Sequence, residues 1–168
     1  MSVDGTRVML FTTNSDTSRA AADRSMLVYS IYDSENSKWN DPVPVYDDGT
    51  ADFNPSASGK YVVWNNAKKS LSGITTYSEL GKQTDVCIAE FDARSGKFTN
   101  VQTVTDNDRF ENRLMISGEN DPVITWTTDS EDSIIGLGST NTFYSAQYKN
   151  GSWEVSGGYD ENNLIVSK

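Results

Sequence analysis

One order of signals returns three times in this chain, and that recurrence limits the fold more than any single residue does. An apolar segment ends in an aromatic and two small polar residues: Phe11-Thr12-Thr13, Trp64-Asn65-Asn66 and Trp126-Thr127-Thr128. A long loop follows, then a second apolar segment, a tight turn closed by Trp39, Phe98 or Trp153, a further segment and an acidic loop. Each copy hands on to a short segment ending in Ser: 54–58, 112–117 and 162–167. Trp39 to Phe98 and Ser58 to Ser117 are both 59 residues, which lays Asp47 on Asp106, Asp52 on Glu111 and Gly59 on Gly118. From Ser117 to Ser167 is 50 residues, because the third hairpin and its acidic loop are tighter. A repeat of this length marks supersecondary units that bury their apolar faces against one another.

Val, Thr and aromatic residues dominate the apolar segments, and Val101-Gln102-Thr103-Val104-Thr105 alternates, as strands do. Each unit is therefore expected to hold four strands. The first strands are 55–58 and 114–117, the second 8–13, 61–66 and 123–128. The third are 27–32, 86–91 and 143–148, and the fourth 43–46, 101–105 and 153–156. The expected fold class is all-β: three four-stranded antiparallel blade-like repeats, β-propeller-like in arrangement. The units cover about 1–53, 54–111 and 112–161, and 162–168 is a closing strand. Met1–Val3 is too short to count as a first strand, so the first unit is expected to begin at its second.

The turns between third and fourth strands are Asp33-Ser-Glu-Asn-Ser-Lys-Trp39, Asp92-Ala-Arg-Ser-Gly-Lys-Phe98 and Lys149-Asn-Gly-Ser-Trp153. They resemble the Asp-box of sialidase-type propellers, roughly Ser-x-Asp-x-Gly-x-Thr-Trp. The first copy lacks the Gly, the third lacks the Asp, and the leading Ser is missing throughout. The resemblance implies a structural role for these turns, with Asp holding the turn and the aromatic packing between strands. Three units are fewer than the usual four to eight blades of a ring. The chain is thus expected to be a partial ring, part of a larger propeller, or half of a six-bladed assembly formed as a homodimer.

Charge and composition remove several function classes. The net charge of −10 repels phosphate backbones and anionic lipid, so nucleic acid is not an expected partner. No stretch approaches the length of a membrane span. With no His, the commonest general base and metal ligand is absent, and a lone Cys87 in an apolar run reads as a core residue. A sialidase needs an arginine cluster, a Tyr–Glu nucleophile pair and an Arg-Ile-Pro signature, and Arg109 and Arg113 do not supply these. No basic segment followed by an apolar one opens the chain. An extracellular or cell-surface location is expected, with an export signal outside this sequence.

Alternation puts the long loops 14–25, 67–84 and 129–142 on one side, together with the acidic loops 47–54, 106–112 and 157–162. Long loops on a rigid scaffold concentrate function, so that side is the candidate binding face. Its candidate ligand-binding residues are Tyr77, Arg109, Ile134, Ile135 and Leu137. Asp106 and Asp108, alternating with Asn107, are candidate calcium ligands, but the Gly and distant Glu of an EF-hand are missing. The competing account makes these acids solvated turn residues and folds each apolar loop back over its own unit, with a helical turn at 77–80 or 18–24. No other cofactor is expected. The expected function is a non-catalytic binding or scaffold module of an exported bacterial protein, contacting protein or carbohydrate. The alternatives are a fragment of a sialidase-like glycoside hydrolase with its catalytic residues on missing blades, and a self-assembling repeat module.

Overall fold

The computed structural model describes residues 1–129 and 141–160, apart from the side chains of Tyr77, Tyr159 and Asp160. The described chain is all-β, with its strands in three antiparallel sheets, each built from consecutive segments. The first sheet holds β1 (Ser2–Val3), β2 (Thr6–Thr13), β3 (Met26–Asp33), β4 (Lys38–Trp39) and β5 (Val43–Pro44). The second holds β6 (Asp52–Ser58), β7 (Tyr61–Ala67), β8 (Thr84–Asp92) and β9 (Lys97–Thr103). The third holds β10 (Asn112–Ser117), β11 (Val123–Asp129), β12 (Asn141–Lys149) and β13 (Ser152–Asp160). Among the described residues no helix is long and apolar enough to cross a membrane.

Several boundaries depart from the sequence expectation: β6 begins at Asp52 where the strand was expected from 55, and β9 runs from Lys97 to Thr103 where 101–105 was expected. Met1–Val3 is not strandless: Ser2 and Val3 pair with Arg7 and Thr6. Asp4 and Gly5, at φ 47° and 82°, form the tight two-residue turn that makes so short a hairpin feasible. The fourth strand of the first sheet is broken, with β4 and β5 pairing to different parts of β3. Pro42 and Pro44 lack the N–H groups an unbroken ladder needs. In the third sheet, β13 runs on to Asp160 through residues 157–160, which the sequence assigned to an acidic loop. A bulge opposite Phe143 and Tyr144 leaves Gly158 as the extra residue; Gly157 beside it sits at φ 132°, and a Cβ there would lie 2.4 Å from the Phe143 carbonyl oxygen.

The sheets stack face to face in chain order. Val62, Trp64, Cys87, Ala89 and Phe91 of the second sheet pack on Val8, Leu27, Tyr29 and Val45 of the first. Val63, Val86 and Ile88 turn the other way, onto Leu114, Ile116, Ile124, Trp126 and Ala146 of the third. The middle sheet is buried on both faces, which explains why 86–89 reads as a continuous apolar run rather than an alternating one. Burial also pushes the Cys87 thiol up to about 12. The leading strands of the second and third sheets meet: Ser56 Oγ accepts from the Ile116 N–H at 3.2 Å. Gly59 comes so close to the neighbouring turn that a Cβ would sit 2.9 Å from Glu119 Cα.

Phe11, Trp64 and Trp126 occupy equivalent places in the repeat but differ in burial. Trp64 and Trp126 are buried, while Phe11 is half-exposed because it points to the free face of the first sheet. The loop after β7 folds back over its own sheet. Leu71, Ile74 and Leu80 pack with Ala51, Phe53 and Ala67, and α1 (Tyr77–Gly81) is started by a reciprocal Thr76–Glu79 capping box. A single 3-10 turn, Ala21–Asp23, stands in the first long loop.

Candidate functional site

The repeat supplies an internal comparison. Between the first and second sheets, Tyr29 and Ile31 meet Phe91 and Phe98. The three rings stand edge to face, 5.0 to 6.1 Å between centroids, and the Tyr29 hydroxyl donates to the Gly96 carbonyl at 3.0 Å. That gap is closed. Fifty-nine residues on, Ile88 and Glu90 stand where Tyr29 and Ile31 stood. The rings they face, Tyr148 and Trp153 of the third sheet, remain 49% exposed and half-buried respectively. Here the sheets leave a cleft of about 510 Å³.

One wall of the cleft is sheet two: Tyr61, Glu90, Asn100 and Gln102. The other is Tyr148, Lys149 and Trp153, and the turn Asn120–Pro122 bounds one end. Tyr148 and Trp153 meet at 62°, with 5.5 Å between ring centroids. The Trp153 indole N–H donates to Gln102 Oε1 at 3.1 Å and so bridges the two walls. Glu90 is ion-paired with Lys60. Gln102 faces the cleft because β9 carries a bulge: Thr99 pairs with Glu90, yet Gln102 pairs with Ile88, so the stretch opposite Ala89 holds an extra residue. Asn100 takes the left-handed conformation there, at φ 53°. Without the extra residue Val101 and Gln102 would exchange faces.

The opposite end of the same sheets is a buried polar seam. The Asp52 carboxylate accepts the Leu27 N–H at 2.8 Å and an Asn66 amide at 3.1 Å, tying the leading strand of the second sheet to β3 of the first. Burial pushes Asp52 up to about 6, against the pull of those bonds. Glu111, its counterpart in the next unit, accepts the Asn107 amide at 2.8 Å and reaches the Asn65 amide at 3.5 Å. Thr105 bonds to Glu111 and also accepts the Val86 N–H at 2.8 Å, the equivalent of the Leu27 bond. Burial pushes Glu111 up to about 7. Both acids are aimed inward by one device: Asn54 and Arg113, each two residues further on, adopt φ 50° and 52° at bulges in β6 and β10.

The sequence-expected residues fall as follows. Arg109 and Asp106 line a second cleft of about 420 Å³ between the same two sheets, beside Asn107, Trp126 and Tyr144. Asp106 is exposed and lies 3.4 Å from Lys68, and Asp108 is exposed on the same loop. Among the described residues no three acidic or thiol groups converge where a metal ion could sit. Tyr77 heads α1. Ile134, Ile135 and Leu137, like the closing segment 162–168, lie outside the described residues.

None of the residues of the larger cleft is among the candidate ligand-binding residues that the sequence offers. In sequence Trp153 reads only as a turn aromatic, Gln102 as an ordinary position of the strand 101–105, and Asn100 as the residue between that strand and the turn before it. One signal was present: Ile31 is replaced by Glu90 at the same point of the next unit, a charge where the repeat demands an apolar residue. No family model, curated protein or solved structure matches this chain.

Proposed function

We propose that this chain is a non-catalytic ligand-binding module, formed from consecutive units of a β-propeller-like assembly, with its ligand seated in the cleft between the second and third sheets. The observation that carries this is the contrast between two equivalent interfaces: one is filled by Tyr29, Ile31, Phe91 and Phe98, while the other is open and lined by aromatic and amide groups. Stability alone favours filling such a gap, because each missing contact costs packing energy. A cleft of this size lies within the roughly 300–1,000 Å³ typical of small-ligand sites.

Face-to-face stacking in chain order, with leading strands in contact, supports the propeller-like assembly. Met9 and Trp39 remain exposed on the free face of the first sheet, and Met115 on that of the third, where further units would stack. The non-catalytic reading rests on the lining: Glu90 is engaged by Lys60, and the second carboxylate, Asp121, belongs to the turn that bounds one end of the cleft.

The test imports the closed interface into the open one. The double variant Ile88→Tyr and Glu90→Ile installs the residues found at the equivalent positions of the first sheet. Oligosaccharide and peptide mixtures are screened by 15N–1H NMR against the parent protein and the variant. Probes that shift cleft resonances in the parent should lose that effect in the variant, with the melting temperature unchanged or raised. Binding that survives closure of the cleft would refute the assignment.

A further inference from the structure

The cleft's chemistry can be taken one step further, resting on its assignment as the ligand site. We infer that it receives a pyranose ring of a neutral glycan chain. A pyranose has two unlike surfaces, an apolar C–H face and a rim of hydroxyls that donate and accept together. The cleft has both complements. Tyr148 and Trp153 meet at an angle and offer an apolar corner, with Tyr148 still accessible to solvent. Across from them Asn100 and Gln102, and at one end Asn120, present carboxamides, each with a donor and an acceptor. That pairing suits hydroxyls better than it suits a charged group.

Charge narrows the class. Among the described residues no Arg lines the cleft. Its carboxylate Glu90 is ion-paired with Lys60, and Asp121 and Lys149 bring opposite signs. An acidic sugar or a phosphate would find no bidentate clamp. The wall is also set deliberately. Asn100 is a non-glycine residue held at φ 53°, and the bulge it makes is what turns Gln102 into the cleft. Asn takes this conformation more readily than most residues, so the bulge and the wall it sets keep their shape without a ligand. The Trp153–Gln102 bond then holds the stacking ring and the hydrogen-bonding wall in a fixed relation before any ligand arrives.

The experiment is a 15N–1H NMR titration of the intact chain with neutral hexasaccharides: cello-, manno-, xylo-, laminari- and N-acetylchitohexaose. Sialyllactose, hexagalacturonate and an extended hexapeptide mixture serve as competing probes. At least one neutral chain should saturably shift the Trp153 indole and the Asn100, Gln102 and Asn120 side-chain amides, with Kd about 1 mM or tighter. Tyr148→Ala should weaken that binding roughly ten-fold while lowering the melting temperature by only about 2–4 °C through the lost contact with Trp153, and Trp39→Ala should leave the binding unchanged. Binding of only acidic probes or only peptide at these resonances, abolished by the cleft-closing double variant, overturns the sugar assignment and leaves the cleft as a ligand site. Absence of any probe binding sensitive to that variant overturns both. Cleavage of the bound chain would preserve the ligand class and refute the non-catalytic reading.

Discussion

Replacing Glu111 by Gln should make the protein more stable at pH 8 and flatten its response to pH. Glu111 is fully buried, and its carboxyl titrates near 7 in the folded chain instead of near 4.5. Between those values the folded state holds a proton that the unfolded chain has released, so stability falls as pH rises through the window. A displacement of this size corresponds to about 3 kcal/mol, an upper bound for one carboxyl. Gln keeps the shape and the bond from Asn107 but turns an amide toward the Asn65 amide, a mismatch of about 1 kcal/mol. The net gain at pH 8 should be about 1–2 kcal/mol, or a rise in melting temperature of roughly 2–8 °C for a domain this size. At pH 4, where Glu111 is protonated, the variant should be no more stable than the parent. The assay is thermal unfolding followed by circular dichroism at half-unit steps from pH 4 to 8. Asp52 acts in the same direction below about pH 6, so the parent should lose stability in two overlapping steps and the variant in one. Parallel curves for the two proteins, or a variant destabilised at pH 8, would refute the reasoning.

Trp64→Ala removes a ring with no solvent exposure from the interface of the first two sheets and should cost about 3–5 kcal/mol, measured as a lower urea midpoint. Gly157→Ala drives a Cβ into the Phe143 carbonyl at the β13 bulge and should lower the melting temperature. The matching change at Gly151, where nothing lies within 4 Å of the added Cβ, should carry only the smaller penalty of its positive φ. Cys87, buried with its thiol pushed up to about 12, should be unreactive toward a disulfide reagent at pH 8 until urea unfolds the chain.

The repeat was legible because strand periodicity and turn residues are local signals. Trp64, Trp126 and the Asp52–Glu111 correspondence could be aligned by eye, and the third sheet followed from the second. What escaped were features set by single residues between strands. Asp4-Gly5 closes a hairpin around a two-residue strand that no periodicity can announce. The Asn100 bulge reverses the faces of Val101 and Gln102, although alternation over 101–105 looks regular. The cleft depends on which face Gln102 takes and on packing around Tyr29 and Ile31 some sixty residues away in sequence. The long and acidic loops carry the more visible local signals. In the long loop 67–84, Leu71, Ile74 and Leu80 fold back over their own sheet, as the account of solvated acids and folded-back loops expected, and in the acidic loop 106–112 Asp106 is an exposed acid beside Lys68.

Each buried acid at the head of a sheet reaches backward. Asp52 binds the Leu27 N–H of the sheet before it, and Glu111 joins Asn65 of the sheet before that unit. A ribosome delivers these residues in a fixed order, N-terminus first. The strands of one sheet have all emerged before the acid that fastens it to the next. Within each sheet the strands pair with near neighbours in sequence, so little loop entropy stands in the way of completing one before the following one begins. Nascent chains released after residue 51 and after residue 60 should therefore differ in protease resistance. Only the longer one contains the carboxylate that locks Leu27 in place, and vectorial synthesis becomes a series of latches closed behind the growing chain.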